Sequence, residues 1–111
     1  LEFAGGAEAL TASNYRRLIA AISDHRIALA CVQYPMRPLD ELKRIAGELP
    51  DSVILVDNDS IFKDAVSRKG YSFYFGDRFG GDFGHCTPEG NHLLASNIAD
   101  VLGETYFIEM E

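Results

Sequence analysis

Apolar positions along the chain follow two different periods. From Thr11 to Ser23, Tyr15, Leu18, Ile19 and Ile22 recur at spacings of three and four. They form one stripe of a helix, with Thr11 or Ser13 as N-cap and Arg16 and Arg17 on the wet side. The stretch from Ile27 to Gln33 is then apolar without alternation, as in a strand covered on both faces. Tyr34-Pro35-Met36-Arg37-Pro38 breaks it. A second helix is predicted over 39–48, ended near Gly47 and Pro50, and Val53-Ile54-Leu55-Val56 reads as a second buried strand. Asp57-Asn58-Asp59-Ser60 offers caps for a third helix over 61–68, stopped by Gly70. Residues 71–75 are aromatic and read as extended or irregular, and a glycine-rich loop follows from Gly76 to Cys86. Thr87-Pro88-Glu89 opens a last helix with a cap, a proline in the first turn and an acid at the positive end. Its stripe is Leu93, Leu94, Ile98, Val101 and Leu102, and Gly103 is expected to end it.

Strands alternating with helices predict an α/β fold with parallel pairing through a right-handed crossover. Residues 11–103 read as part of a single domain. Residues 1–10 read as a flexible lead-in. Residues 104–111 read as a tail, in which Tyr106-Phe107-Ile108 is apolar enough for an extra strand. Both strands have the character of central strands, yet two strands cannot cover each other's edges. The expectation is a portion of a larger sheet whose other strands lie N-terminal, so that the chain self-associates or pairs with that missing part.

Composition narrows the function classes. The 111 residues hold 47 % hydrophobic and 24 % charged positions, which excludes a disordered, collagen-like or coiled-coil chain. Seventeen acidic residues against ten basic ones give a net charge of −7, and the basic residues are scattered. Nucleic acid and anionic membranes are poor partners for such a surface. No apolar run approaches the ~18 residues of a membrane span. The two cysteines, Cys31 and Cys86, are too few for a disulfide scaffold and make no C-x-x-C. They do not reveal the compartment; a soluble chain, cytoplasmic or secreted, is the expectation.

Candidate chemistry concentrates in Asp82-Phe83-Gly84-His85-Cys86-Thr87-Pro88-Glu89-Gly90-Asn91, where the glycine-rich loop enters the last helix. Histidine is the natural general base by residue type. A carboxylate three residues earlier in a turn, Asp82, could bond one nitrogen of His85 and leave the other to take a proton. The alternative is structural: His85 bonds a backbone carbonyl at the helix approach and Asp82 is a turn residue. On spacing alone the two stand level.

The stretch DFGHCTPEGNHLLASNIADVL resembles the last sequence block of the SGNH (GDSL-type) hydrolases, where Asp-x-x-His precedes a Thr-Pro-x-Gly-Asn helix start. VQYPMRPLDELK and VILVDNDSIF are similar to the segments preceding that block in one bacterial branch of the family. The resemblance is specific over Asp82–Asn91 and loose elsewhere between Thr11 and Leu102. It implies a serine esterase on a flavodoxin-like three-layer α/β/α sandwich, with His85 as general base, Asp82 as its orienting acid, and neither metal nor organic cofactor. The substrate would be a carboxylic ester, an acylated carbohydrate or a lipid among the options.

The family's Gly-Asp-Ser nucleophile motif does not occur in these residues, nor do the glycine and Gly-x-Asn-Asp asparagine that complete its oxyanion hole. The fitting expectation is a C-terminal fragment that carries the histidine and acid but is inactive alone. The alternative function is a non-catalytic half-domain that assembles with another chain through its open sheet edge. Asp59-Ser60 superficially imitates a nucleophile turn, but Asn58 replaces the glycine, and a turn with a helix cap is expected. Asp82, His85, Cys86 and His92 lack metal-site spacing. Cys86 is expected to pack beneath the loop, His92 to lie partly exposed on the last helix and His25 to be solvated in a turn. Phe73, Tyr74, Phe75 and Phe79 would be an acyl pocket or, more simply, core.

Overall fold

A helix begins five residues earlier than the apolar stripe predicts. The computed structural model describes residues 6–106, and α1 spans Gly6–Asp24. Ala7, Glu8, Ala9 and Leu10 are strong helix formers, and an acid in the first turn suits the positive helix end, so part of the expected lead-in is helical. Thr11 and Ser13 consequently lie inside the helix instead of capping it. Ile19 is buried whereas Leu18 is 53 % exposed, so the stripe is narrower than its spacing suggests.

The chain then runs β1 (Leu29–Val32), α2 (Leu39–Ala46), β2 (Val53–Val56), α3 (Asp59–Lys69), α4 (Tyr71–Tyr74) and α5 (Pro88–Tyr106). Strand β1 starts later than the apolar run: Arg26 turns the chain at φ 56°, and Ile27 is left 55 % exposed. β1 and β2 pair in one two-stranded sheet. Donors and acceptors climb together, from Leu29 N–H on the Ser52 carbonyl to Gln33 N–H on the Val56 carbonyl, so the strands are parallel. The molecule is therefore of mixed α/β class. Helix α2 stops at Gly47, whose N–H reaches the Lys43 carbonyl at φ 75°.

Two compact units are formed. Among the described residues, one takes 6–31 and Leu39–Leu55; the other takes Val32–Pro38 and 56–106. In the first, Ile19, Cys31, Leu42, Ala46 and Val53 make the core, with Tyr15 and Leu29 packed against it. In the second, Phe62, Tyr74 and Phe75 are buried among Ile61, Val66, Leu93 and Leu94.

The aromatic stretch 71–75, expected to be extended or irregular, contains the helical turn α4. Gly70, at φ 91°, donates its N–H to the Val66 carbonyl, ends α3, and lets the chain re-enter a helix at once. Tyr71 and Phe75, one helical turn apart, stack at 4.8 Å. Helix α5 continues through Gly103 to Tyr106, because one glycine costs only about 1 kcal/mol in a helix interior. Tyr106 is thus helical, and Phe107 and Ile108 lie outside the described residues. No helix among the described residues is long and apolar enough to cross a membrane.

Asn58 precedes α3 at the N-cap position, yet its side chain makes no cap bond. It is fully buried. Its Nδ2 donates to the Gln33 carbonyl at 2.8 Å, and its Oδ1 accepts from Asn97 Nδ2 at 2.7 Å. Asn97 Nδ2 also reaches the Asp57 carbonyl at 2.8 Å. The segments leaving β1 and β2 are thereby tied to α5 within the second unit. Removing the amide strands buried donors and acceptors, so Asn58→Ala should cost about 1–3 kcal/mol. Urea denaturation should show a lower midpoint at an unchanged slope; an unaltered midpoint would show that water replaces the amide.

Candidate functional site

The site is a loop closed at its base. Gly76 N–H donates to the His85 carbonyl at 2.8 Å and Thr87 N–H to the Tyr74 carbonyl at 3.0 Å, flanking an antiparallel bridge between Phe75 and Cys86. Thr87 is the N-cap of α5: its Oγ1 accepts Gly90 N–H at 3.2 Å, and its hydroxyl donates to the Phe73 carbonyl at 2.6 Å. Gly90 lies so close to the Tyr74 carbonyl that a Cβ there would collide with it. Cap, proline and glycine in Thr87-Pro88-Glu89-Gly90 thus serve one purpose, bringing the end of the loop hard against α4.

Asp77 closes the loop from within. Its Oδ1 accepts the His85 backbone N–H at 2.8 Å and the Phe79 N–H at 3.4 Å, while its Oδ2 lies 2.6 Å from His85 Nδ1. The Tyr71 hydroxyl donates to the Asp77 carbonyl at 2.6 Å, and Arg78 lies 3.8 Å over the Tyr71 ring. The bond from the His85 N–H, and then that from its ring, hold the Asp77 carboxyl below its ordinary 3.8. An ionised carboxylate only accepts, so Nδ1 must carry the proton it shares with Asp77. In the neutral imidazole Nε2 is then the acceptor of the ring, and no described residue bonds to it. The His85 side chain is 73 % exposed, open to an incoming group.

The carboxylate paired with His85 is therefore Asp77, not Asp82, the partner that the three-residue spacing allows and the family resemblance implies. Asp82 Oδ2 instead lies 3.4 Å from Arg37 Nη1. The reason is geometric. Asp77 faces His85 across the base of the loop, where the backbone pairing fixes both. Asp82 belongs to the loop's far turn, in which Gly80 N–H bonds the Phe83 carbonyl and Gly81 takes φ 90°. Phe83 stacks on Tyr34 at 4.9 Å, so two contacts fasten that turn to the segment following β1. The signal that could have found Asp77 is Gly76-Asp77 and Gly84-His85 facing each other at the two ends of a glycine-rich loop.

Other candidates are placed plainly. Asp59 N–H bonds Asp57 Oδ1 at 2.8 Å, the local turn expected of Asp57–Ser60, and Ser60 sits exposed in the first turn of α3. Cys86 packs against the Phe62–Tyr74–Phe75 core, and burial pushes its thiol up from 9.0, so it stays protonated and a poor nucleophile. No serine, threonine or cysteine side chain among the described residues hydrogen-bonds to His85. No cluster of three or more His, Cys, Asp or Glu suited to a metal occurs among them. His25 Nδ1 lies 2.8 Å from the Ala21 carbonyl. Tyr74 and Phe75 are core, whereas Phe73 and Phe79 are exposed, Phe79 with its ring 5.1 Å from that of His85.

A carboxyl depressed on folding contributes its tether fully above its unfolded value, and the contribution disappears as pH falls through the lower folded value. The His85 amide proton should shift in an acid titration followed by nuclear magnetic resonance, with a midpoint below 3.8. Asp77→Asn should abolish that step, and a midpoint at or above 3.8 would contradict the assignment.

Comparison with protein-family models, with curated proteins and with solved structures gave no match.

Proposed function

We propose that this chain carries the histidine–aspartate half of an SGNH-type serine esterase, built as the C-terminal portion of a flavodoxin-like α/β/α sandwich. The observation that carries the reading is the 2.6 Å contact of an ionised Asp77 with His85 Nδ1, which leaves Nε2 as a base. It occurs beside the Asp-x-x-His-Cys-Thr-Pro-Glu-Gly-Asn block that resembles the family. In this reading His85 Nε2 takes the proton of a serine hydroxyl as its oxygen attacks the ester carbonyl. The imidazolium returns the proton to the departing alkoxide, and the acyl group stays on the serine. Nε2 then removes a proton from water as its oxygen attacks the acyl carbon; the bond from that carbon to the serine oxygen breaks, the carboxylic acid leaves, and the imidazolium returns the proton to the serine. The serine comes from a Gly-Asp-Ser segment that these 111 residues do not contain. Motif position assigns the orienting acid to Asp82; the hydrogen bonding favours Asp77.

The assembly that carries this chain in its cell should contain a serine labelled by a fluorophosphonate probe. His85→Ala and Asp77→Asn should each slow labelling by about 10³-fold or more, by analogy with losses on removing triad members. Asp82→Asn should slow it less than about tenfold. Absence of any reactive serine, or labelling indifferent to His85, overturns the esterase reading; a larger effect at Asp82 restores the motif's assignment. A second reading, a non-catalytic module joined through its sheet edge, is favoured by Val32, 41 % exposed in β1, and by the two-stranded sheet. A partner bound there without a reactive serine would support it.

A further inference from the structure

We propose that the cavity between α4 and the first turns of α5 binds a small monocarboxylate with an alkyl or aromatic body. The cavity measures about 540 Å³, within the range of roughly 300–1,000 Å³ usual for small-molecule sites. None of its lining residues belongs to the Asp77–His85 pair, so the proposal does not rest on the esterase reading.

Its apolar lining is Phe73, 39 % exposed, with Tyr74, Pro88 and Leu93. The Phe73 ring offers contact to an apolar body. The polar groups are Lys69, His92, Ser96 and Glu89. His92 and Ser96 stand one turn apart on α5 and offer ring and hydroxyl hydrogen-bonding groups.

Lys69 sets the sign of the ligand. Two other cations of α3 have acids one turn before them, and both pairs form: Lys63 with Asp59 at 2.8 Å and Arg68 with Asp64 at 3.2 Å. One turn before Lys69 stands Ala65, and one turn after it stands Phe73. Its ammonium accordingly rests 4.9 Å above the Phe73 ring, and no carboxylate among the described residues pairs with it. A cation held on an aromatic face at the edge of an apolar cavity presents one charge and one greasy surface together. The complement is an anionic head on an apolar body. Glu89 is the opposing charge of the lining; it sits in the first turn of α5, where the positive helix end accommodates it.

Octanoate and octanol share a tail and differ in charge, so they separate this proposal from general greasiness. In nitrogen–proton correlation spectra of the full chain, octanoate should give saturable shifts centred on Lys69, Phe73, His92 and Ser96. Octanol should bind about tenfold more weakly or worse. Lys69→Gln should bring octanoate down to the level of octanol, Phe73→Ala should weaken both, and Glu89→Gln should tighten octanoate. Lys69 is exposed, so unchanged amide positions elsewhere will show that its variant is folded. Equal binding of the two ligands, octanoate binding unaltered by Lys69→Gln, or shifts lying outside the cavity would each overturn the proposal.

Discussion

The architecture around His85 depends on one carboxylate turned inward. Between Gly76 and His85 the chain leaves α4, reverses, and must return in register to start α5. Asp77 takes both the backbone and the ring of His85, so that a single side chain fixes where the loop closes and how the imidazole stands. The closure allows no substituent at Gly84, where a Cβ would collide with the Asp77 carbonyl, nor at Gly90 against the Tyr74 carbonyl. The Thr87 cap, the start of α5 and the exposed imidazole all follow from that register.

Exposure decides what this arrangement is for. The Asp77 and His85 side chains are 50 % and 73 % exposed, and polar contacts so well hydrated contribute little to stability. Their value lies in orientation and tautomer: an acceptor-only carboxylate dictates which ring nitrogen keeps the proton. Asn58 shows the opposite balance. It is fully buried and satisfied on both ends, and it contributes by leaving no polar group stranded where the segments after β1 and β2 meet α5. One unit of the molecule thus holds a wet polar contact suited to chemistry and a dry one suited to stability.

The readable parts of the sequence were those governed by local rules. The apolar runs of β1 and β2, the stop at Gly47, and the Thr87-Pro88-Glu89 start of α5 each depend on residues close to one another in the chain, and the sequence pattern locates all of them to within a few residues. What escaped depended on the chain meeting itself. Residues 71–75 read as extended or irregular because aromatic residues favour strands, but the Tyr71–Phe75 stack and the Phe62 core reward a helical turn. Asn58 looked like a cap because asparagine usually is one; its partners Gln33 and Asn97 lie 25 and 39 residues away. Asp82 looked like the partner of His85 because three residues is a short distance in sequence, whereas Asp77 is eight residues away and closer in space.

The displacement of Asp82 has its own consequence. Its ion pair with Arg37, and the stack of Phe83 on Tyr34, fasten the far turn of the loop to the segment that follows β1. Asn58 fastens the segment that follows β2 to the same neighbourhood through Gln33. In an open parallel sheet, the carboxyl ends of the strands are where ligands are received. The segments leaving both strands, the loop that carries His85, and the helix that follows it are therefore joined within one unit by contacts among Gln33, Tyr34, Arg37, Asn58, Asp82, Phe83 and Asn97. Under the proposed function, His85 Nε2 needs only a nucleophile presented from a neighbouring strand terminus, and the serine outside these 111 residues would supply it.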